Sequence, residues 1–195
     1  MRARAGGRRV RLADGRFATI RAIRPSDRDA FLAFHAGLSD ESRYLRYFSA
    51  RRKLPEHELR HYTEVDQRDH AGVVTLVDGA LVGHALYDRL SDPEEAEVAL
   101  EVADAFQGQG IGTLMLEELA HVALRAGIRR GMAHVLPGNQ RMLQVFRDLG
   151  FTERAALEDG VMRVELELAA TRRFAAAHRA RASAARSRAK GGAVR

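Results

Sequence analysis

The chain has no cysteine among its 195 residues. Disulfide frameworks, thiolate metal sites and a cysteine nucleophile are therefore excluded. No apolar run approaches the roughly 20 residues that a bilayer-spanning helix needs. The N-terminus is arginine-rich but lacks a following apolar segment, so it does not read as a secretory signal. The cytoplasm is the expected compartment, with no membrane partner. Acidic residues are missing from one stretch in particular. None follows Glu167, whereas Arg172, Arg173, Arg179, Arg181, Arg186, Arg188, Lys190 and Arg195 do. Removing these eight cations from the net charge of +6 leaves residues 1–168 at −2. The body is mildly acidic and the basicity lies at the ends. A tail of this kind solubilises, and it can hold acidic partners or nucleic acid. Phe174 is its one aromatic residue, so it offers no base-stacking platform, and nucleic acid is not an expected partner.

The most informative stretch runs from Glu97 to Thr113. A β-rich run, Glu97-Val-Ala-Leu-Glu-Val-Ala103, passes through Asp104-Ala-Phe106 into Gln107-Gly108-Gln109-Gly110-Ile111-Gly112-Thr113. The helical pattern Leu114-Met-Leu-Glu-Glu-Leu-Ala follows directly. A glycine-rich turn at a helix start leaves several backbone N–H groups pointing one way, backed by the positive end of the helix dipole. That arrangement binds phosphate. A dinucleotide fingerprint is the competing reading, because Gly108-x-Gly110-x-Gly112 contains two of its glycines. The third is misplaced, and the segment follows a hairpin in mid-chain rather than opening a βαβ unit.

Elsewhere the chain alternates clear signals, without internal repeats, over a length suited to one domain. Residues 1–15 form a basic arm. Phe17–Arg24 reads as a strand and Ser26 as the cap of a helix carrying Phe31, Leu32, Phe34 and Leu38. Ser39 and Pro55 each open a further helix. Ala71–Val77 and Leu81–Tyr87 form a hairpin around Asp78-Gly79. Ala96–Ala103 is the next strand and Ile111–Ala126 a helix ended by Gly127. Gly131–Leu136 is a strand, and Asn139 precedes a helix to Leu149. Phe151–Ala156 and Val161–Leu168 close the pattern as a hairpin, and the tail 169–195 is helical or disordered. This order predicts an α/β fold with a mixed sheet of six to seven strands.

Side chains on a strand alternate faces, so Glu97, Ala99 and Glu101 share one side of theirs. That side must be wet, paired or catalytic. A carboxylate that takes a proton from an incoming ammonium is the chemistry such a face can supply, and a salt-bridged pair is the structural alternative. Glu101 reads as secondary, orienting a cationic substrate. His121 and His134 read as structural. His35, His57, His61 and His70 are assigned no metal site. Arg43, Tyr44 and Arg46 lie on the early helices, where they recognise substrate or contribute surface charge.

Gln107-x-x-Gly110-x-Gly112 after a β-run resembles the acyl-CoA pyrophosphate signature of the GNAT acetyltransferase superfamily. Asn139, Phe146 and Leu149-Gly150-Phe151 resemble its second conserved segment. Glu41-Ser-Arg-Tyr-Leu-Arg-Tyr-Phe48 and Ala96-Glu-Val-Ala-Leu-Glu-Val-Ala-Asp-Ala-Phe-Gln-Gly are similar to the GNAT domain of bacterial Pat-type protein lysine acetyltransferases. The resemblance covers residues 16–168. It implies a mostly antiparallel sheet flanked by helices, acetyl-CoA as co-substrate, no metal, and an amine acceptor, foremost a protein lysine. The pantetheine arm would pair with backbone near Val102 and Ala103. The pyrophosphate would sit on amides of Gln107, Gly108, Gln109, Gly110, Ile111, Gly112 and Thr113. Asn139 would meet the pantetheine region and Phe146 would pack near the arm. The glutamate of the Ala-Glu-Val-Ala segment, Glu97 here, would be the general base. Many members carry a tyrosine at Phe146 as general acid, a role phenylalanine cannot take. Regulated members often add a cyclic-nucleotide-binding or acyl-CoA-synthetase-like region, and neither fits in this length. A small-molecule amine acetyltransferase and a catalytically silent acyl-CoA-binding adaptor are the alternatives. A monomer or a dimer is expected.

Overall fold

The computed structural model describes residues 7–49, 52–149 and 152–168. Eight strands form one sheet: β1 (Arg8–Arg11), β2 (Phe17–Ala22), β3 (His70–Val77), β4 (Ala80–Arg89), β5 (Glu95–Val102), β6 (Arg130–Val135), β7 (Thr152–Glu158) and β8 (Val161–Glu167). Their order across the sheet is β1-β2-β3-β4-β5-β6-β8-β7. Every neighbouring pair is antiparallel except β5 and β6, which run parallel. Parallel neighbours need a long crossover. Here it is the phosphate-type turn and its helix.

The sheet is one strand wider than the sequence predicts. The extra strand is β1, which pairs with β2 inside the segment expected to be a basic arm. Val10 and Leu12 are buried, and Arg8 crosses to the buried carboxylate of Glu117 at 3.0 Å. Alternating arginines conceal a short apolar pattern there. Residues 1–6, Gly150, Phe151 and the tail 169–195 lie outside the described residues. Asp78 and Gly79 join β3 to β4 with φ of 50° and 83°, the left-handed pair that a two-residue hairpin turn requires.

Five helices cover the two faces: α1 (Arg28–Gly37), α2 (Asp40–Tyr47), α3 (Glu56–Thr63), α4 (Ile111–Arg125) and α5 (Gln140–Leu149). One face of the sheet packs on α4 and α5 through Ile111, Met115, Leu119, Leu143 and Phe146. The other packs on α1 and α3 through Phe31, Phe34 and Leu59 against Val74 and Leu81. Ser26 is not the cap of α1, as its residue type suggests. Asp27 takes that place without a side-chain bond into the helix; its carboxylate turns back to accept the Arg24 N–H at 2.9 Å and a two-pronged Arg21 bond at 2.6 Å per prong. A charge-assisted fork is stronger than a hydroxyl bond. Ser39 does cap α2, accepting the Ser42 N–H at 3.1 Å. Among the described residues no helix is long and apolar enough to cross a membrane.

Phe31 is fully buried and packs edge-on against the His84 ring at 4.8 Å. It holds α1 to the sheet where the polar face begins. Phe31→Ala is expected to cost about 3–5 kcal/mol of stability, read as a lower urea midpoint with an unchanged m-value.

Candidate active site

The site begins where β5 leaves β6. Those strands pair over three positions only, Glu95 with Arg130, Ala96 with Gly131 and Glu97 with Met132. Beyond Glu97, β5 keeps β4 as its partner as far as Val102. The Ala103 N–H donates to the Val82 carbonyl at 2.9 Å. By alternation, the backbone groups of Val102 point away from β4 and into the splay. The Val102 carbonyl there accepts the Gln107 side-chain amide at 3.1 Å. Ala103 is placed differently from Val102. Its N–H is taken by Val82, and its carbonyl by the Phe106 N–H at 2.8 Å.

The turn that follows leads into α4. Gly108 and Gly110 have φ of 75° and 81°, and a Cβ at either would meet no atom within 4 Å. Both therefore border open space, in a backbone conformation that suits glycine. Gly110 caps α4, and Leu114 is the first N–H to bond back, onto the Gly110 carbonyl at 3.1 Å. Helix geometry leaves the N–H groups of Ile111, Gly112 and Thr113 facing outward ahead of it. Gly112 sits close to Leu100 and Val145, so a larger residue would push α4 off the strand.

The Gln107 side chain also donates to Ser42 Oγ at 3.1 Å, and its own oxygen accepts from Arg141 at 2.5 Å. Asp104 receives the Ser39 N–H at 2.9 Å, with the Ser39 and Ser42 hydroxyls at 2.6 and 2.7 Å. These bonds tie α2 to the end of β5. Arg141 is a cation beside this turn that the sequence analysis missed. Its position, two residues after Asn139 in the first turn of α5, was the available signal. Asn139 caps α5 through its side-chain oxygen, which accepts the Met142 N–H at 3.1 Å. Phe146 is wholly buried in the α4–α5 core.

The two strand carboxylates have separate fates. Glu97 lies on an open row, its side chain 48% exposed, with His134 Nδ1 at 3.2 Å. Glu101 is buried, with His84 Nδ1 at 3.3 Å, the Tyr47 hydroxyl donating at 2.8 Å and Arg46 at 3.8 Å. Burial opposes its charge most. The His84 bond, the Arg46 and His84 charges and the Tyr47 bond together outweigh burial and hold its carboxyl below the ordinary range. Burial pushes His84 below its ordinary value, with Glu101 pulling the other way. Burial and Glu101 push the Tyr47 phenol up. The cluster is an imidazole and a phenol around one carboxylate, with Arg46 as counter-charge. Glu101 thus holds a cation of the chain itself. Arg43, expected to face substrate or solvent, is buried on Asp40 and the His35 carbonyl.

The acetyltransferase (GNAT) family profile matches residues 38–151, more than half of the chain. The chain belongs to the GNAT acetyltransferase family. The structure is similar to the crystal structure of the GNAT domain of Streptomyces lividans PAT, with 35% identity and a TM-score of 0.79, covering 86% of this chain and 99% of that one. It is 29% identical over 152 residues to an acetyltransferase of Pseudomonas aeruginosa, covering 76% of this chain and 82% of that protein. It is 33% identical over 146 residues to the acetyltransferase Pat of Mycolicibacterium smegmatis, covering 72% of this chain. The match spans 43% of that longer protein. Membership makes this GNAT chain an N-acetyltransferase with acetyl-CoA as co-substrate.

The buried cluster has a pH signature. A histidine depressed below its unfolded value of about 6.5 stabilises fully above that pH and loses the contribution as pH falls through it. Glu101, also depressed, adds a loss of the same sign at lower pH, below its unfolded value near 4.5. Urea midpoints measured from about pH 7.5 down to about pH 5 are expected to fall, and His84→Gln to flatten that slope.

Proposed function

We propose that the chain transfers the acetyl group of acetyl-CoA to an amine, foremost a protein lysine side chain, by direct attack in a ternary complex. The open splay beyond Glu97 is the observation that carries this reading. It supplies an unpaired strand edge, and a phosphate-type turn stands at its far end. From Glu97 to Val102 is about 17 Å at ~3.4 Å per strand residue, a length suited to an extended pantetheine arm.

In this reading the amides of Gly108–Thr113 and the Arg141 guanidinium hold the pyrophosphate, whereas the Gln107 N–H, expected to join them, is taken by the Asp104 carbonyl at 3.3 Å. The arm lies along the Val102 edge, and Asn139 meets it from the start of α5. The unpaired Val102 N–H stands as the oxyanion donor for the thioester carbonyl. Glu97 takes a proton from the acceptor ammonium, directly or through a water, and the freed amine attacks the thioester carbon. The sulfur leaves with its bonding electrons. The chain has no cysteine to carry an acyl group, which agrees with transfer in one complex. The resemblance of Glu41–Phe48 and Ala96–Gly108 to Pat-type protein lysine acetyltransferases supports lysine as the acceptor.

Glu97→Gln is expected to lower turnover by about 100-fold or more and to leave acetyl-CoA affinity nearly unchanged. Equal losses in both quantities count against the base assignment. Gly110→Glu places a negative side chain in the cradle at a left-handed position. It is expected to abolish the heat of coenzyme A binding in calorimetry, and retained binding contradicts the cradle. Labelled acetyl-CoA incubated with lysate, beside a panel of small amines, separates a protein acceptor from a small one.

A further inference from the structure

On the same face of the sheet as Glu97, one row of side chains lies outside the machinery described above. Asp88 on β4 is the direct cross-strand partner of Glu97, and His70 on β3 is the partner of Asp88. His61 of α3 hangs over this row. Its Nε2 lies 3.1 Å from one Asp88 oxygen, and His70 Nε2 lies 3.6 Å from the other. The two imidazole rings stack with centroids 4.1 Å apart. All three ligand atoms lie within 4.8 Å of one another.

We propose that His61, His70 and Asp88 bind a divalent transition ion of the zinc class. The argument is geometric. Ligand atoms about 2.0–2.1 Å from a tetrahedral zinc stand about 3.3 Å apart; the three donors here lie within 4.8 Å of one another, and the exposed His61 ring turns out of its stack on His70 to bring both ring nitrogens onto one ion. His70 Nε2 is buried and has no hydrogen-bond partner among the described residues, although it faces a carboxylate and an imidazole. A buried ring nitrogen without a partner is costly unless something fills the space beside it. Two imidazoles with one carboxylate suit zinc, nickel or cobalt, and disfavour magnesium and calcium. Asp66 accepts the backbone N–H groups of Arg68, Asp69 and His70 at 2.8, 2.9 and 3.0 Å, which fixes the loop that presents His70. Tyr62 packs against the His61 ring at 5.6 Å.

Sequence spacing points to the wrong partner here. His57-Glu58-Leu59-Arg60-His61 reads His-Glu-x-x-His, a zinc-helix spacing that the assignment of no metal site overlooked. His57, with its side chain 78% exposed, lies outside the cluster. The partners of His61 come from β3 and β4 instead.

An ion at Asp88 adds positive charge beside Glu97, where a cationic acceptor would arrive. It should therefore raise the KM for the amine and leave acetyl-CoA affinity unchanged. This consequence rests on the Glu97 assignment, and the binding does not.

The test is calorimetry of the untagged full chain with zinc chloride. Binding at this site is expected to weaken about tenfold or more in His61→Ala, His70→Ala and Asp88→Asn, with coenzyme A binding retained in each as the control for folding. No zinc heat from the wild type, or equal affinity in the wild type and all three variants, overturns the site. In the transfer assay, zinc is expected to raise the amine KM of the wild type and not that of His61→Ala. Because calorimetry reads the ion without turnover, a misassigned Glu97 would leave the binding result intact.

Discussion

The short parallel pairing of β5 with β6 is the constraint on which the rest of the site depends. Antiparallel neighbours can pair along their whole length because a tight turn fixes their register. These two parallel strands are joined through a turn and a long helix, and they share three positions before diverging. Past Glu97 one edge of a central strand is left without a strand partner. Inside a sheet, such an edge is a place for a ligand that can act as a strand. The glycine turn follows directly at the far end of that edge.

The two faces of β5 divide the labour. Val98, Leu100 and Val102 face the α4–α5 core, which anchors the helix that follows the glycine turn. Glu97 and Glu101 face the other way. Packing by α1 and α2 closes over Glu101 and leaves Glu97 open. One carboxylate becomes the centre of a buried network with His84, Tyr47 and Arg46. The other remains in a polar row with His134, Asp88, His70 and His61.

Local signals were legible where short-range geometry decides the outcome. Asp78-Gly79 marked a hairpin because few residues tolerate its dihedrals. Ser39 and Asn139 marked helix starts because their side chains satisfy nearby N–H groups. The Gly108–Gly110 turn and the following helix were readable for the same reason. β1 was not, because its arginines hid a short alternation. Ser26 falls inside a short 3-10 turn, Pro25–Asp27, so α1 starts later than the residue types suggest.

The sequence by itself determined the order of elements from β2 onward, the glycine turn that opens a helix and the pair of carboxylates on one face of one strand. Each depends on residues within a turn or two of one another, and backbone sterics and local hydrogen bonds act over that range. The tertiary structure alone decided which carboxylate stays open, which histidines converge and where the strand edge is exposed. His61, His70 and Asp88 are distant in sequence, as are His84, Glu101 and Tyr47. They meet only because the sheet register and the packing of α1–α3 bring them to one face, and no local pattern in the chain encodes that register.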